Sequence, residues 1–166
     1  MNTVDVVEIF SSIQGEGPHI GERHLFLRLC GCNLRCSFCD TPFEKTEKAS
    51  VYTNNGTSYL KNPVSADILA DEINNFNPIN HSYLSITGGE PLIHHKFLKK
   101  LIPMIHLPVY LETNGTLYHE LEDIINLVSV ISSDIKLPSS TGLRAFWDEH
   151  KKFLEAANKH NREIFF

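Results

Sequence analysis

The sequence lacks the features that mark membrane-spanning, secreted or nucleic-acid-binding proteins. No apolar run approaches the ~18 residues of a membrane span, and the first residues, MNTVDVVEIF, show no basic segment followed by an apolar one. Runs of Lys or Arg are also missing, and the formal net charge is −5. Because nucleic-acid phosphates require clustered cations, we expect no nucleic-acid partner. Since the sequence shows neither a long apolar run nor a signal pattern, we also expect no membrane partner and a cytoplasmic location.

Cysteine is absent from all but one short stretch of the chain. The four cysteines, Cys30, Cys32, Cys36 and Cys39, lie within ten consecutive residues. A disulfide framework would instead spread its cysteines to join distant loops. The clustering therefore predicts a metal site in a reducing compartment.

Apolar patterning predicts an α/β protein that forms one domain over residues 1–166. The predicted strands share period-two or continuous apolar runs: Val4–Phe10, His24–Gly31, Tyr83–Thr87, Val109–Thr113, Val130–Leu137 and Glu163–Phe166. Helical patterns between them begin with Ser65 as an N-cap, and include an apolar stripe with Trp147. Alternating strands and helices indicate a parallel sheet, in a partial (β/α) barrel or a doubly wound fold, with the site at the carboxyl ends of the strands.

One segment, 43–62, breaks this pattern. It contains Asn55-Gly56, a strong turn signal. We expect an inserted β-hairpin beside the cysteine segment.

The spacing Cys32-x3-Cys36-x2-Cys39 directly follows a predicted strand. Three thiolates can hold three corners of a 4Fe-4S cluster and leave the fourth iron open to a second molecule. The alternative is structural zinc, with Cys30 or a histidine as the fourth ligand. Since no second CxxC pair is present, the spacing favours a cluster, and Cys30 is expected to be a small buried thiol.

With Phe38 in the last gap, this motif resembles the signature of the radical S-adenosylmethionine (radical SAM) superfamily. Further segments make the chain similar to the 7-carboxy-7-deazaguanine synthase family. They are SIQGEG (12–17), FLRLCGCNLRCSFCDT (26–41), TGGEP (87–91), ETNGT (112–116) and SSDIKLPSS (132–140). Their order and spacing are more specific than the cysteine motif alone.

The resemblance implies a partial (β/α) barrel of radical SAM type, shortened at the C-terminus, with Cys32, Cys36 and Cys39 as ligands of a 4Fe-4S cluster. It also implies S-adenosylmethionine and Mg²⁺ as cofactors, the latter at Thr41. The implied contacts with S-adenosylmethionine come from Phe38, Cys39, Asp40, Gly88, Gly89, Glu90, Ser133, Asp134 and Ile135. Those with the substrate come from Ile13, Gln14, Gly15, Arg28 and Thr87.

Chemistry supports several of these roles. Glycines after a strand permit close backbone approach to a ligand, and the carboxylate of Glu90 can hold an ammonium group. The cation Arg28 lies on an apolar strand, so we expect it to face inward and to pair with a substrate carboxylate. The nine histidines show no metal-ligand spacing and are expected to be solvated, without a role.

The implied reaction contracts the ring of 6-carboxy-5,6,7,8-tetrahydropterin to 7-carboxy-7-deazaguanine, with loss of ammonia, in the biosynthesis of queuosine and other 7-deazapurines. The expected partners are the pterin substrate, an electron donor such as flavodoxin or ferredoxin, and a second copy of the chain in a homodimer. Two alternatives remain open. The chain could be an activating enzyme that installs a glycyl radical on a partner protein, or a non-enzymatic module that binds zinc or a cluster.

Overall fold

The computed structural model describes residues 2–39, 41, 45–160 and 162–165. Its strands are β1 (Thr3–Val4), β2 (Val6–Ile13), β3 (Arg23–Leu29), β4 (Lys48–Thr53), β5 (Gly56–Lys61), β6 (Val64–Ser65), β7 (Tyr83–Gly88), β8 (Val109–Thr113), β9 (Val130–Ser133) and β10 (Glu163–Phe165). Its α-helices are α1 (Ala66–Asn74), α2 (His95–Leu101), α3 (Tyr118–Ile124), α4 (Pro138–Thr141) and α5 (Trp147–Lys159). Short 3₁₀ turns extend α2 and α3 at their ends and precede β7 and α2.

One open eight-stranded sheet organises the molecule, in the order β10-β9-β8-β7-β3-β2-β4-β5. From β3 to β10 every neighbouring pair is parallel, as the βαβ pattern predicts. The strand β2 departs from this pattern, because it runs antiparallel to β3 and parallel to β4. The parallel part ends in a set of neighbouring loops at one edge, which is where a ligand site is expected.

The two faces of the sheet differ in composition, because successive side chains of a strand point to opposite sides. On β3, Leu25, Leu27 and Leu29 belong to the hydrophobic core that the helices cover. The intervening residues of β3 are His24, Phe26 and Arg28. Through the register with β7 and β8, the face that carries Arg28 also carries Thr87, Tyr110 and Glu112. This second face is polar and aromatic, and it borders the candidate site at the carboxyl ends of the strands.

Helices α1, α2, α3 and α5 follow one another across the apolar face. Ser65 caps α1 as predicted, since its hydroxyl accepts a hydrogen bond from the backbone N–H of Ile68. On α5 the core residues are Phe153, Ala156 and Ala157, whereas Trp147 is exposed. The prediction that Trp147 belongs to the apolar stripe is therefore wrong, because the residue begins the helix outside its buried face.

The predicted hairpin is present as β4 and β5, which pair from Lys48↔Lys61 to Thr53↔Gly56. The turn lies one residue earlier than predicted, because Gly56 already belongs to β5 and Asn54 joins Asn55 in the turn. The predicted strand Val130–Leu137 ends at Ser133, where the chain leaves the sheet to form part of the site. No helix of the described residues is long and apolar enough to cross a membrane.

Candidate active site

A cleft lies at the carboxyl ends of β3, β7, β8 and β9 and is bordered by the loop that follows β2. The cysteine segment forms one wall, with Cys32, Cys36, Phe38 and Cys39. Thr41 also lines the cleft, whereas the predicted cofactor contact Asp40 lies outside the described residues. The buried Cys30 is not among the lining residues, which separates it from the other three cysteines.

Of the three lining cysteines, Cys32 and Cys36 are half-buried and Cys39 is exposed. The sulfur of Cys32 accepts a hydrogen bond from the backbone N–H of Leu34 at 3.3 Å, and the side-chain amide of Asn114 lies 3.9 Å away. Burial raises the pKa of the Cys32 thiol, so a metal must displace its proton on binding.

Gly88 and Gly89 form the facing wall, and the structure gives each a reason to be glycine. A Cβ on Gly88, whose φ is +128°, would overlap the backbone of Leu29. A Cβ on Gly89 would overlap the carbonyl of Gly31 and stand 3.0 Å from the Cβ of Cys32. Close approach to the cysteine segment itself therefore requires both glycines, besides any ligand that they contact.

Glu90 turns away from the cleft and is fully buried. One carboxylate oxygen accepts hydrogen bonds from the Leu92 N–H at 3.0 Å and the Thr113 hydroxyl at 2.8 Å. The other accepts from the Asn114 N–H at 2.7 Å. Burial raises the pKa of Glu90 to about 7, although these three donors oppose the shift. The side chain thus joins the end of β7 to the end of β8, and its predicted contact with an ammonium group stays a prediction.

The end of β9 supplies Asp134 and Lys136 to the cleft. The Lys136 ammonium donates to Asp134 at 2.8 Å and lies 5.7 Å from the centre of the Phe38 ring. Ile135 is exposed beside them, whereas Ser133 is buried and points below the cleft. Of the three residues predicted here, only Asp134 is a lining residue.

A second, more open groove adjoins the cleft and is lined by Ile13, Gln14 and Gly15. Its floor contains Phe10 and Phe26, whose rings stack with centroids 5.0 Å apart and 8° between their planes. The groove and the cleft share two carboxylates, Glu16 and Glu112. Burial raises the pKa of Glu16, and the charges of Asp134 and Glu112 raise it further. The shared carboxylates make the two hollows one continuous site.

Gln14 holds this junction together. Its side-chain N–H donates to Glu112 at 3.0 Å, and its side-chain oxygen accepts from the backbone N–H groups of Gly15 and Glu16. Only 3% of the residue is exposed. The amide of Gln14 therefore orients the residues around it rather than presenting its full edge to a ligand.

Arg28 lies on the polar and aromatic face of the sheet, opposite the core covered by the helices. Its Nε donates to a carboxylate oxygen of Glu8 at 2.8 Å, and both side chains are about one-third exposed. In the strand register Arg28 lies beside Thr87, which lines the cleft. Arg28 is therefore a neighbour of a cleft residue, and its guanidinium already forms an ion pair with Glu8.

The comparison with known proteins gives the family. The model of the radical SAM superfamily matches residues 27–165. The chain belongs to the radical SAM superfamily. Within it the chain belongs to the 7-carboxy-7-deazaguanine synthase family, because it is 36% identical to the synthase of Hyperthermus butylicus over 181 residues, which cover 99% of this chain and 71% of that protein.

A second relative agrees with this assignment, and one solved structure shows the same fold. The 7-carboxy-7-deazaguanine synthase of Geobacter sulfurreducens is 44% identical over 93% of this chain, and the chain spans 65% of that relative's length. The crystal structure of QueE from Escherichia coli shares the fold, with a TM-score of 0.55, 20% identity and coverage of 98% of this chain and 92% of that one.

The cofactors of a radical SAM protein are a 4Fe-4S cluster and S-adenosylmethionine, and the cleft fits both. Its donors are the thiols of Cys32, Cys36 and Cys39. Three thiols can hold three irons of a cluster and leave the fourth iron open to a second molecule.

Sequence reasoning missed several residues of this radical SAM site. Glu16, Glu112, Asn114 and Lys136 line the cleft but were assigned no role. Glu112 and Asn114 belong to ETNGT, so the signal was a polar motif at the end of a predicted strand.

The prediction that the histidines are solvated is wrong for His24 and His150, which are buried. His24 bonds to Ser85 across the sheet, and the ring of His150 accepts the backbone N–H of Lys136. Burial lowers the pKa of both imidazoles, which favours their neutral form. Partners on distant elements, invisible to spacing, give these histidines a structural role.

Proposed function

We propose that this chain contracts the ring of 6-carboxy-5,6,7,8-tetrahydropterin to 7-carboxy-7-deazaguanine with loss of ammonia. The observation that carries the proposal is the junction at Glu16 and Glu112, which line both the cysteine cleft and the aromatic-floored groove. A flat ring in the groove would meet a cofactor in the cleft there. The names of the relatives support this activity over the activation of a partner protein.

In the cleft, Cys32, Cys36 and Cys39 would hold the cluster, and Cys30 would not. The cleft residues Phe38, Cys39, Gly88, Gly89 and Asp134 would contact S-adenosylmethionine. The remaining contacts, from Asp40, Glu90, Ser133 and Ile135, stay predictions from the family resemblance. Together the two cofactors supply the one-electron chemistry that removes a hydrogen atom from the substrate. The protein contributes orientation and the exclusion of water and oxygen.

In the groove, the stacked rings of Phe10 and Phe26 offer a flat apolar platform for the pterin. An aminopyrimidinone edge presents N–H donors, which the carboxylates of Glu16 and Glu112 can accept. Ile13, Gln14 and Gly15 would border the ring. Because the Gln14 amide is bonded to Glu112 and to its own loop, its effect on the substrate would pass through those groups.

The substrate carboxylate would pair with Arg28, beside Thr87 at the top of the same sheet face. A planar guanidinium suits a carboxylate because it can donate two parallel hydrogen bonds. Thr41 would ligate Mg²⁺, since this hard ion accepts a single hydroxyl and completes its shell with water and substrate oxygens. Such an ion would hold the pterin and offset charge as the ring rearranges.

We further propose that residues 1–166 act as one domain within a cytoplasmic homodimer and receive electrons from a flavodoxin or ferredoxin. Four cysteines in one cleft-forming segment suit a reducing compartment. No nucleic-acid or membrane partner is proposed. Elution of the protein as a dimer would support the homodimer. Activity that depends on added reduced flavodoxin or ferredoxin would support the electron donor.

Anaerobic turnover tests the function directly. The cluster-loaded protein is incubated with the carboxylated pterin, S-adenosylmethionine and a reductant, and the products are identified by mass spectrometry. We expect 7-carboxy-7-deazaguanine together with ammonia. Cleavage of S-adenosylmethionine without any deazapurine product would contradict the proposed substrate and favour the protein-activating alternative.

A further inference from the structure

Three consecutive carbonyl groups lead into the cysteine segment, and each accepts a hydrogen bond from the segment that follows β7. The Leu29 carbonyl accepts the N–H of Gly89 at 3.2 Å, and the Gly31 carbonyl accepts the N–H of Glu90 at 2.8 Å. Between them the Cys30 carbonyl accepts from the imidazole Nε2 of His94 at 2.7 Å. The middle bond, from a side chain, is the one that mutation can remove cleanly.

The tautomer of His94 follows from its partner. A carbonyl oxygen can only accept a hydrogen bond, so Nε2 must carry the proton. Burial lowers the pKa of His94, which keeps the ring neutral near neutral pH. Gly31, with a φ of +92°, turns the backbone directly beneath this ring, where a Cβ would stand 3.9 Å from Nε2 and 3.1 Å from the Ile93 side chain. His94 thus packs on the point where β3 turns into the cysteine segment.

The hydrogen bond of His94 joins the segment proposed to hold the cluster to the segment proposed to hold S-adenosylmethionine. The cysteine segment carries the cluster ligands, and the Gly88-Gly89 turn is the wall proposed to hold the methionyl end of S-adenosylmethionine. The cysteine segment would hold the cluster and the glycine turn would hold S-adenosylmethionine beside it, so the separation of the two segments would decide whether both can bind. A change of about 1 Å between two such groups is enough to weaken a bound geometry.

We propose that His94 is a positioning residue that fixes the cysteine segment relative to the glycine turn through its hydrogen bond to the Cys30 carbonyl. His94 does not line the cleft but a separate surface hollow, together with Thr3 and Phe97, so we expect it to act through the backbone and not by touching the cofactor. The inference rests on the cofactor pair of the proposed function but not on its pterin substrate.

The chain offers a matched control at the next position. His95 is also half-buried, but its Nδ1 pairs with the exposed Asp123 on another helix at 2.7 Å. His94→Leu removes the donor, His94→Gln keeps an amide N–H that can reach the carbonyl, and His95→Leu removes a neighbouring imidazole of the same size.

The three variants and the wild type are loaded with iron and sulfide without oxygen. Iron per chain, the thermal midpoint, the affinity for S-adenosylmethionine and the change that it causes in the EPR spectrum of the reduced cluster are then measured, with no pterin present. We expect His94→Leu to keep its iron but to bind S-adenosylmethionine about tenfold more weakly, with an altered EPR change. His94→Gln should recover most of the affinity, and His95→Leu should match the wild type.

Wild-type affinity in His94→Leu would overturn the inference. Loss of iron in His94→Leu would also overturn it, because the hydrogen bond would then support the cluster itself rather than its placement against the turn. An equal loss of affinity in His95→Leu would also overturn the inference, because the loss would then not depend on the hydrogen bond to the Cys30 carbonyl. Failure of the wild type to convert the pterin would contradict the proposed function and leave this result unaffected.

Discussion

Backbone hydrogen bonds join the walls of the cleft, whereas a side-chain pair holds the junction between the cleft and the groove. At the walls, the N–H groups of Gly89 and Glu90 donate to the carbonyls of Leu29 and Gly31, and the two glycines allow close approach. At the junction, the side-chain amide of Gln14 donates to Glu112, which is distant in sequence. A backbone contact survives most changes of side chain, whereas a contact between two side chains can be lost through one substitution.

The largest effect is expected from the cluster ligands. Changing Cys32, Cys36 or Cys39 to Ala should remove iron and abolish all cleavage of S-adenosylmethionine, because each thiolate holds a separate corner of the cluster. Cys30→Ala is the control and should keep its iron. Retention of the cluster by any of the three, together with its loss in Cys30→Ala, would reverse the ligand assignment.

On the substrate side, Arg28→Ala should weaken binding of the carboxylated pterin by at least about tenfold. Truncation of one member of a buried charge pair typically costs ~2–5 kcal/mol, and because Arg28 is about one-third exposed we expect a loss towards the lower end. Reductive cleavage of S-adenosylmethionine without substrate should survive. Arg23→Ala, on the same strand but bonded to Ser11, is the matched control. Unchanged pterin affinity in Arg28→Ala, measured by anaerobic titration, would remove Arg28 from the site.

Glu90→Gln tests the link between β7 and β8. The amide cannot satisfy all three donors that the carboxylate accepts, so we expect a loss of about 1–3 kcal/mol in the free energy of unfolding. Because the pKa of Glu90 is raised to about 7 from 4.5, folding favours its protonated form. The wild type should therefore gain stability relative to Glu90→Gln as the pH falls from about 7 towards 4.5. Denaturation followed by circular dichroism at several pH values measures the free energy of unfolding of both proteins. If the difference between them did not change with pH, a raised pKa of Glu90 would be contradicted.

The smallest effect concerns Mg²⁺ at the edge of the cleft. Mg²⁺ should stimulate turnover without affecting cluster assembly, and Thr41→Ala should lose most of that stimulation because the hydroxyl ligand is gone. Thr41→Ser should keep part of it. Equal dependence on Mg²⁺ in the wild type and Thr41→Ala, from initial rates across a titration of the ion, would leave Thr41 as an ordinary turn residue.

The contrast also explains what could be predicted from the sequence. The strands of the parallel sheet and the hairpin are local patterns, and most were placed to within a few residues. The cysteine segment was found from its spacing and Gly88-Gly89 from the family resemblance of TGGEP, and the structure adds the backbone contacts that require glycine at both positions. The antiparallel pairing of β2 with β3 and the exposure of Trp147 depend on tertiary packing, so periodicity did not reveal them.

Side-chain pairing between distant elements was the least predictable part of the site. An inward-facing Arg28 follows from its apolar neighbours, but its bond to Glu8 requires the register of two strands. We predicted that the carboxylate of Glu90 contacts a ligand. In the structure it accepts hydrogen bonds from Leu92, Thr113 and Asn114. The shared position of Glu16 and Glu112 likewise emerges only when separate strands are brought together.

The central claim is that cleft and groove form one site in which a pterin ring reaches the cofactor. The direct test is anaerobic turnover with 6-carboxytetrahydropterin that carries deuterium on its saturated ring carbons, followed by mass spectrometry of the adenosyl group. The account predicts deuterium at the 5′ carbon of 5′-deoxyadenosine or of recovered S-adenosylmethionine. Cleavage of S-adenosylmethionine with no deuterium in the adenosyl group would contradict it.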